Sequence, residues 1–172
     1  MLTLPELQIP ELTTARLLMR GFRDADLDAY AEMMTDPEVT RYIGEGTTLT
    51  RNEAWRQMAV FAGHWMFRGF GIWVVEERAT GAFLGRIGLW EPEGWPAFEL
   101  AYTLARPAWG HGFAREGAAA ALAYARETLG RSDIISFIRP PNTPSVRVAE
   151  ALGAHFDGNV ELMGKPALRY RY

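Results

Sequence analysis

Some stretches of the chain are apolar runs of strand length, and others have apolar residues at helical spacing. Together these patterns predict a mixture of strands and helices. Residues 15–22 and 97–105 are apolar-rich stretches of strand length. Residues 70–90 predict a β-hairpin with Ala79, Thr80 and Gly81 near its tip. The hairpin and the strand at 97–105 follow one another directly, so they predict a three-stranded antiparallel meander.

Four other stretches have apolar residues at helical spacing, each with start or stop signals. They cover residues 24–35, 50–69, about 112–129 and 143–153. Asp24 is the expected cap of the first, and the Asp-Pro step at Pro37 ends it. Thr50 and Glu53 form a capping-box pattern at the start of the second, and Gly130 closes the third.

An apolar strand at residues 133–139 follows the third helix, and this strand–helix–strand unit predicts parallel pairing with residues 97–105. The last residues add one or two strands. The sequence therefore predicts an α/β (α+β) fold in a single domain over residues 1–172. Its mixed central sheet has about six to seven strands, flanked by about four helices.

Composition narrows the classes of function. The chain has a formal net charge of -3, which argues against a nucleic-acid partner. It has no cysteine, which excludes thiol nucleophiles and Cys-ligated zinc, and its three histidines are too scattered to predict a metal site. The first twenty residues lack a signal-peptide layout and a membrane-length apolar run, so we expect a cytoplasmic protein without a membrane partner.

A glycine-containing loop, "RPAWGHGFAREG", precedes the alanine-rich third helix. A dinucleotide-binding G-x-G-x-x-G motif would need glycine where Arg115 stands. A P-loop would need lysine and a hydroxyl residue where Ala118 and Ala119 stand. The loop therefore matches neither the dinucleotide-binding motif nor the P-loop motif.

The start of that helix still has the physical properties of an anion site, because its first N–H groups lack intrahelical partners. Gly110 and Gly112 let the backbone approach a large group closely, Ala114 is nearly as small, and Arg115 adds a cation. The alternative is that these small residues serve only a tight turn and close helix–sheet packing.

The order of elements resembles the GNAT superfamily of N-acetyltransferases, as do "W-G-x-G-F-A-R-E" and the later "N-x-x-S-x-R-V-x-E-x-L-G". The opening "TTARLLMRGFRDAD" and "MMTDPEVTRYIG" look like its RimJ/RimL branch, which acetylates protein N-termini. The resemblance covers about residues 10 to 165. It implies an acetyl-CoA-dependent enzyme with a sheet that splays at the cofactor site.

By this resemblance, the loop should cradle the pyrophosphate of acetyl-CoA through six consecutive residues, namely Gly110, His111, Gly112, Phe113, Ala114 and Arg115. The strand edge at Tyr102, Thr103 and Leu104 should pair with the pantetheine arm, as an exposed edge pairs with a peptide. Asn142 matches an asparagine that contacts the pantetheine or amine side, although an Asn here also suits a helix cap. Trp109 stands where the family pattern has Gln or Arg.

Two residues are candidates for the chemistry. Glu99 lies at the start of the same strand and is our expected base for the acceptor amine; the alternative is an exposed carboxylate without a role. Ser145 matches a serine that lies near the sulfur in relatives, where it could donate a proton; the alternative is helix capping. Ala149 stands where many members of the superfamily have a tyrosine acid.

The identity of the amine stays open at this point. A peptide N-terminal α-amine is the expected acceptor. The alternatives are a small amine (an amino acid, polyamine or antibiotic) and a non-catalytic acyl-CoA-binding module. The resemblance implies no metal, and it leaves a homodimer open.

Overall fold

The computed structural model describes residues 8–172. One eight-stranded sheet forms its centre, in the order β1-β2-β3-β4-β5-β6-β8-β7. The strands are β1 (Leu12–Thr13), β2 (Leu17–Arg20), β3 (Ile72–Glu77), β4 (Phe83–Trp90), β5 (Glu99–Leu104), β6 (Ile135–Ile138), β7 (His155–Leu162) and β8 (Lys165–Arg171). The helices are α1 (Leu27–Thr35), α2 (Pro37–Thr40), α3 (Arg51–Arg68), α4 (Phe113–Glu127) and α5 (Thr143–Ala151).

The expected mixed fold is confirmed, with small differences at the ends of elements. The short strand β1 and the four-residue helix α2 account for one more strand and one more helix than the sequence predicts. Asp24 does not cap α1, because it lies inside a 3₁₀ turn that precedes the helix; the Asp26 carboxylate accepts the Arg23 N–H instead. Pro37 ends α1 as expected but also occupies the first turn of α2.

Helix α3 begins with the predicted capping box of Thr50 and Glu53. Phe61 and Trp65 are buried on its inner face, whereas Trp55 is 49% exposed. The small residue Ala54, not Trp55, takes the inward position one turn before Met58.

All neighbouring strands in this sheet are antiparallel except β5 and β6, which are parallel as predicted. Helix α4 covers one face, where Ile87, Leu100 and Ala121 belong to the larger core cluster. Helices α1 and α3 cover the other face around Tyr30 and Phe61. The two faces matter for the site, because the cavity described next connects them.

Candidate active site

Strands β5 and β6 separate soon after they meet. All of β5 pairs with β4, but only Glu99 of β5 pairs with β6, opposite Ile135. At the point of divergence the Ser136 hydroxyl donates to the Leu100 carbonyl (2.6 Å) and the Phe137 N–H donates to the Glu99 carboxylate (3.3 Å). Side chains thus replace strand-to-strand hydrogen bonds here, and the rest of the β5 edge is left open toward β6.

A cavity of about 890 Å³ occupies this gap. Its wall is formed by β5, β6, the start of α4 and the start of α5. All of the site residues predicted from the sequence line it, except His111. A cavity of this size can accept an extended ligand of cofactor dimensions.

The loop before α4 has the backbone conformation that its glycines permit. Gly110 and Gly112 have φ values of 78° and 79°, in the left-handed region that favours glycine. Gly112 is the N-cap of α4 and makes no side-chain cap, so the first helical N–H groups remain available to a ligand. Arg115 is exposed beside them and lines the same cavity.

Arg16 and Glu116 hold this loop in place, and neither residue was predicted from the sequence to contribute to the site. Arg16 donates to the His111 carbonyl (2.9 Å) and to Glu116 (2.7 Å), and its guanidinium lies 4.5 Å from the centre of the Phe113 ring. Thr14 also donates to Glu116 (2.6 Å). Partial burial raises the pKa of Glu116, but the hydrogen bonds from Thr14 and Arg16 outweigh it and leave that pKa lowered. The sequence did contain one indication of this role: Glu116 is an acidic residue in the first turn of α4, where the helix dipole favours negative charge.

Glu99 is buried, which rules out its reading as an exposed carboxylate. Its carboxylate accepts the Trp95 ring N–H (2.8 Å) and the Phe137 N–H (3.3 Å). Burial raises its pKa to about 7, although these two hydrogen bonds and the positive charges of Arg86 and Arg139 oppose the rise. A carboxylate with such a pKa can accept and release a proton near neutral pH.

Asn142 and Ser145 have different contacts at the start of α5. The Asn142 side chain caps the helix by accepting the Ser145 N–H (3.4 Å). The Ser145 hydroxyl is therefore not the cap. The Ser145 carbonyl accepts a hydrogen bond from the Tyr102 hydroxyl (2.9 Å), and burial raises the pKa of Tyr102. Ala149 is fully buried in the small cluster beneath α5.

Trp109 is held against the end of β5 by a hydrogen bond from its ring. Its ring N–H donates to the Leu104 carbonyl (2.8 Å) at the end of β5, while 45% of the residue is exposed. The Leu104 carbonyl is thus already bonded within the protein. The Ala105 N–H donates to Leu84 of β4, whereas the Leu100 carbonyl faces β6. Because backbone groups alternate between the two sides of a strand, the backbone of Tyr102 is the part of the β5 edge that faces the gap and can pair with a ligand.

Two further findings concern residues 8–172. None of their helices is long and apolar enough to cross a membrane. Within the same range, no group of three or more acidic or histidine side chains is arranged to hold a metal ion.

Comparison with known proteins gives related sequences over most of the chain. The model of the acetyltransferase (GNAT) domain family matches residues 16–155. The uncharacterized protein YkkB of Bacillus subtilis is 30% identical over 168 residues, which are 93% of this chain and 94% of YkkB. The uncharacterized N-acetyltransferase p20 of Bacillus licheniformis is 31% identical over 153 residues, 86% of this chain and 83% of p20.

Solved structures agree. An acetyltransferase from Agrobacterium tumefaciens superposes with a TM-score of 0.86 at 32% identity, over 96% of this chain and 95% of that one. Two CoA complexes share the fold alone. They are the ribosomal L7/L12 α-N-protein acetyltransferase RimL (TM-score 0.75, 14% identity, 91% and 93% covered) and spermidine N-acetyltransferase from Vibrio cholerae (TM-score 0.74, 20% identity, 91% and 95% covered).

The family model spans most of the chain and includes both the glycine loop and the open strand edge, so this chain belongs to the GNAT family and is an N-acetyltransferase.

Proposed function

We propose that the enzyme transfers acetyl directly from acetyl-CoA to a peptide or protein N-terminal α-amine, as the RimJ/RimL branch does, in the cytoplasm and as one domain over residues 1–172. The observation that carries the proposal is the buried Glu99, whose carboxylate lies at the point where the β5 edge opens into the cavity. A carboxylate with a pKa of about 7, beside a surface that can pair with an extended ligand, supports this proposal.

The residues present fit acetyl-CoA. The free N–H groups at the start of α4, together with Arg115, suit the pyrophosphate, because a helix N-terminus and a cation both favour negative charge. The open β5 edge suits the pantetheine arm, because the backbone of Tyr102 faces the gap and can pair with an amide, while Thr103 and Leu104 lie beside it and line the cavity. The Asn142 amide N–H₂ group makes no hydrogen bond to the described part of the chain, residues 8–172, while its oxygen caps α5. When bound, acetyl-CoA supplies the activated acetyl thioester.

The chain's own groups would then move protons. Glu99 accepts a proton from the acceptor ammonium, directly or through one water, so that the amine can act as nucleophile. The Ser145 hydroxyl is our proposed donor to the leaving sulfur, since its backbone groups, not its hydroxyl, serve the α5 cap and Tyr102. Arg16 and Glu116 hold the loop in place from outside the cavity.

The α-amine assignment rests on the resemblance of "TTARLLMR" and "DPEVTRYIG" to the RimJ/RimL branch. Acid–base chemistry favours it as well. An α-amine has an unperturbed pKa of about 7.7–8.0 and a lysine side chain about 10.4, so more of the α-amine is neutral near pH 7. The pKa of Glu99, about 7, is close to that of an α-amine.

A screen for turnover tests this proposal. Acetyl-CoA is offered with peptides of different N-termini, free amino acids, polyamines and aminoglycosides, while release of CoA thiol is followed and products are identified by mass spectrometry. Acetylated peptide N-termini are the expected result. Products found only on small amines would assign the enzyme to that acceptor class. Cofactor binding without thiol release from any amine would make the domain a non-catalytic CoA-binding module.

A further inference from the structure

Arg86 is a buried cation that the proposed chemistry does not use. It lies in β4 with Val74 and Thr103 as its strand neighbours, is only 6% exposed, and lines the cavity. Its Nε is buried without a hydrogen-bond partner, and no carboxylate among residues 8–172 lies within 4.0 Å of its guanidinium. The Phe61 ring centre lies 5.0 Å from the guanidinium carbon. The Tyr30 hydroxyl is a second neighbour: burial raises the pKa of Tyr30, and the charge of Arg86 and a side-chain hydrogen bond with it oppose that rise.

Such an arrangement costs folding free energy. A guanidinium remains charged at any physiological pH, so it cannot avoid the cost by losing its proton. A buried charge is ordinarily paired, because desolvation without a partner is expensive. A buried arginine that faces a cavity, with hydrogen-bonding capacity unused, is suited to a partner that arrives with the ligand.

The position of Arg86 indicates which ligand it would meet. Residues paired across antiparallel strands share a face, so Arg86 and Thr103 point to one side, as do Trp90 and Glu99. Contact with Phe61 identifies that side as the α3 face. The glycine loop and the start of α4 belong to the opposite face, which is where the cofactor phosphates fit. Arg86 therefore lies with Glu99 in the chamber left for the acceptor.

The distance between the two groups limits the acceptor. Arg86 and Glu99 lie on neighbouring strands and are four residues apart in register, which is about 13 Å along the strand direction. Both side chains extend into the same chamber, and Arg86 is near enough to oppose the burial that raises the pKa of Glu99. Because the charge of Arg86 acts on Glu99 across this chamber, an acceptor that contacts both groups must carry its anion and its amine on one small framework.

Because this inference rests on the proposed function, it concerns the same acceptor: we propose that Arg86 binds a carboxylate of the acceptor, which is therefore an α-amine with a carboxylate a few bonds away. Two sources share this chemistry. One is an acidic side chain on the first residue of a peptide, and the other is the α-carboxylate of a free amino acid. Polyamines, which bring extra positive charge toward Arg86, are disfavoured.

Matched acceptors test the proposal in the unmodified enzyme. For peptides, Asp- and Glu-initiated tetrapeptide amides are compared with their Asn- and Gln-initiated counterparts. For free amino acids, each is compared with its α-amide. We expect kcat/KM to be roughly tenfold or more higher for the carboxylate member of one pair, as for a charge-assisted hydrogen bond made in a desolvated site. The pair that shows the preference identifies the source of the carboxylate.

Variants then assign the preference to Arg86. Arg86→Met keeps an apolar side chain of similar length and should reduce the preference to near unity, mainly through KM for the carboxylate member. Arg86→Lys keeps the charge but loses the forked geometry, so an intermediate preference is expected. Arg41→Met removes an exposed arginine at the cavity rim, where it pairs with Glu38 at 3.5 Å, and should retain the preference.

Several results would overturn the proposal. Turnover without a carboxylate preference, a preference that Arg86→Met retains, or an equal loss for both members of a pair would each do so. An equal loss for both members would indicate that Arg86 acts instead on the pKa of Glu99.

A binding measurement separates this proposal from the proposed function. The CoA-saturated protein is heated with each acceptor, and stabilisation by the carboxylate member is compared between the parent and Arg86→Met. Arg86-dependent stabilisation without thiol release from any amine would support the anion site and reject the transferase proposal. Thiol release with no Arg86-dependent stabilisation would do the reverse.

Discussion

Arg20 and Arg86 are both buried arginines in the same sheet, yet their surroundings differ completely. Arg20, at the end of β2, donates to both oxygens of Asp26 (2.8 and 2.7 Å) and also to Glu76. Asp26, Glu76 and burial act together on its pKa, and the two carboxylates raise it. Arg86 lies two strands away, and its buried Nε makes no hydrogen bond to any group within residues 8–172.

The carboxylates show the same contrast. Asp26 is buried against the Arg20 guanidinium, whereas Glu99 accepts only neutral N–H groups within hydrogen-bond distance. In the closed part of the fold the buried charges neutralise one another. Around the cavity, the buried cation and the buried carboxylate are held apart, which leaves each with capacity to interact with a substrate.

The largest expected effect concerns the closed part. Arg20→Met leaves two carboxylates in a buried site without their cation, and we expect it to lower the free energy of unfolding by about 3–5 kcal/mol. Arg86→Met is the matched variant and should change this free energy by less than about 1 kcal/mol or increase it, because it removes a buried charge that has no carboxylate within 4.0 Å among residues 8–172. Urea titration of both variants measures this. Equal losses would abolish the distinction between the two arginines.

The pH dependence of stability gives the next effect. The pKa of Glu99 is about 7 in the folded protein and near its ordinary value of 4.5 when unfolded, so the folded state holds an extra proton between these pH values. Its contribution to stability is therefore complete below pH 4.5 and is lost as the pH rises to about 7. Relative to Glu99→Gln, the parent should lose up to about 3 kcal/mol over that interval. The free energy of unfolding is measured against pH for both proteins. Parallel profiles would contradict the raised pKa of Glu99 in the folded protein.

The effect of Glu99 on the rate of acetyl transfer should be of comparable size in free energy. Glu99→Gln keeps the shape of the side chain but cannot accept a proton, and we expect turnover to fall about a hundredfold while CoA affinity is retained. The loss should shrink at high pH, where the acceptor amine is already neutral. Initial rates from pH 6 to 10 with a fixed acceptor make the comparison. A rate that is unchanged at every pH would remove Glu99 from the mechanism.

The smallest effect tests the cofactor loop. At a hundredfold excess over its dissociation constant, CoA should stabilise the parent by about 2.7 kcal/mol. Gly112→Asp adds negative charge where phosphate is expected and should lose most of this shift. Gly112→Asn is the control, because it has the same shape without charge and Asn tolerates positive φ better than most residues. A thermal shift equal to that of the parent in the Asp variant would place the phosphates elsewhere.

Local patterns in the sequence were sufficient for the order of elements, the α3 capping box and the glycine loop. Each depends on residues within a few positions of one another, where helix caps, strand alternation and backbone freedom act. The two-residue strand β1 was missed because it is too short to have a period. Helix α2 was missed because Pro37, a stop signal for α1, is also a favourable first residue of the next helix.

What the tertiary structure alone decided was the environment of the charged residues. Alternation along β5 and β4 says which residues share a face, but not that the face at Glu99 and Arg86 is buried beside a cavity. The bond from Thr14 to Glu116 joins residues 102 positions apart, so no local pattern contains it. Desolvation and ion pairing depend on packing of the whole chain. The sequence by itself therefore determined the longer elements and most of the candidate residues, whereas only the fold decided which charges are paired and which face the cavity.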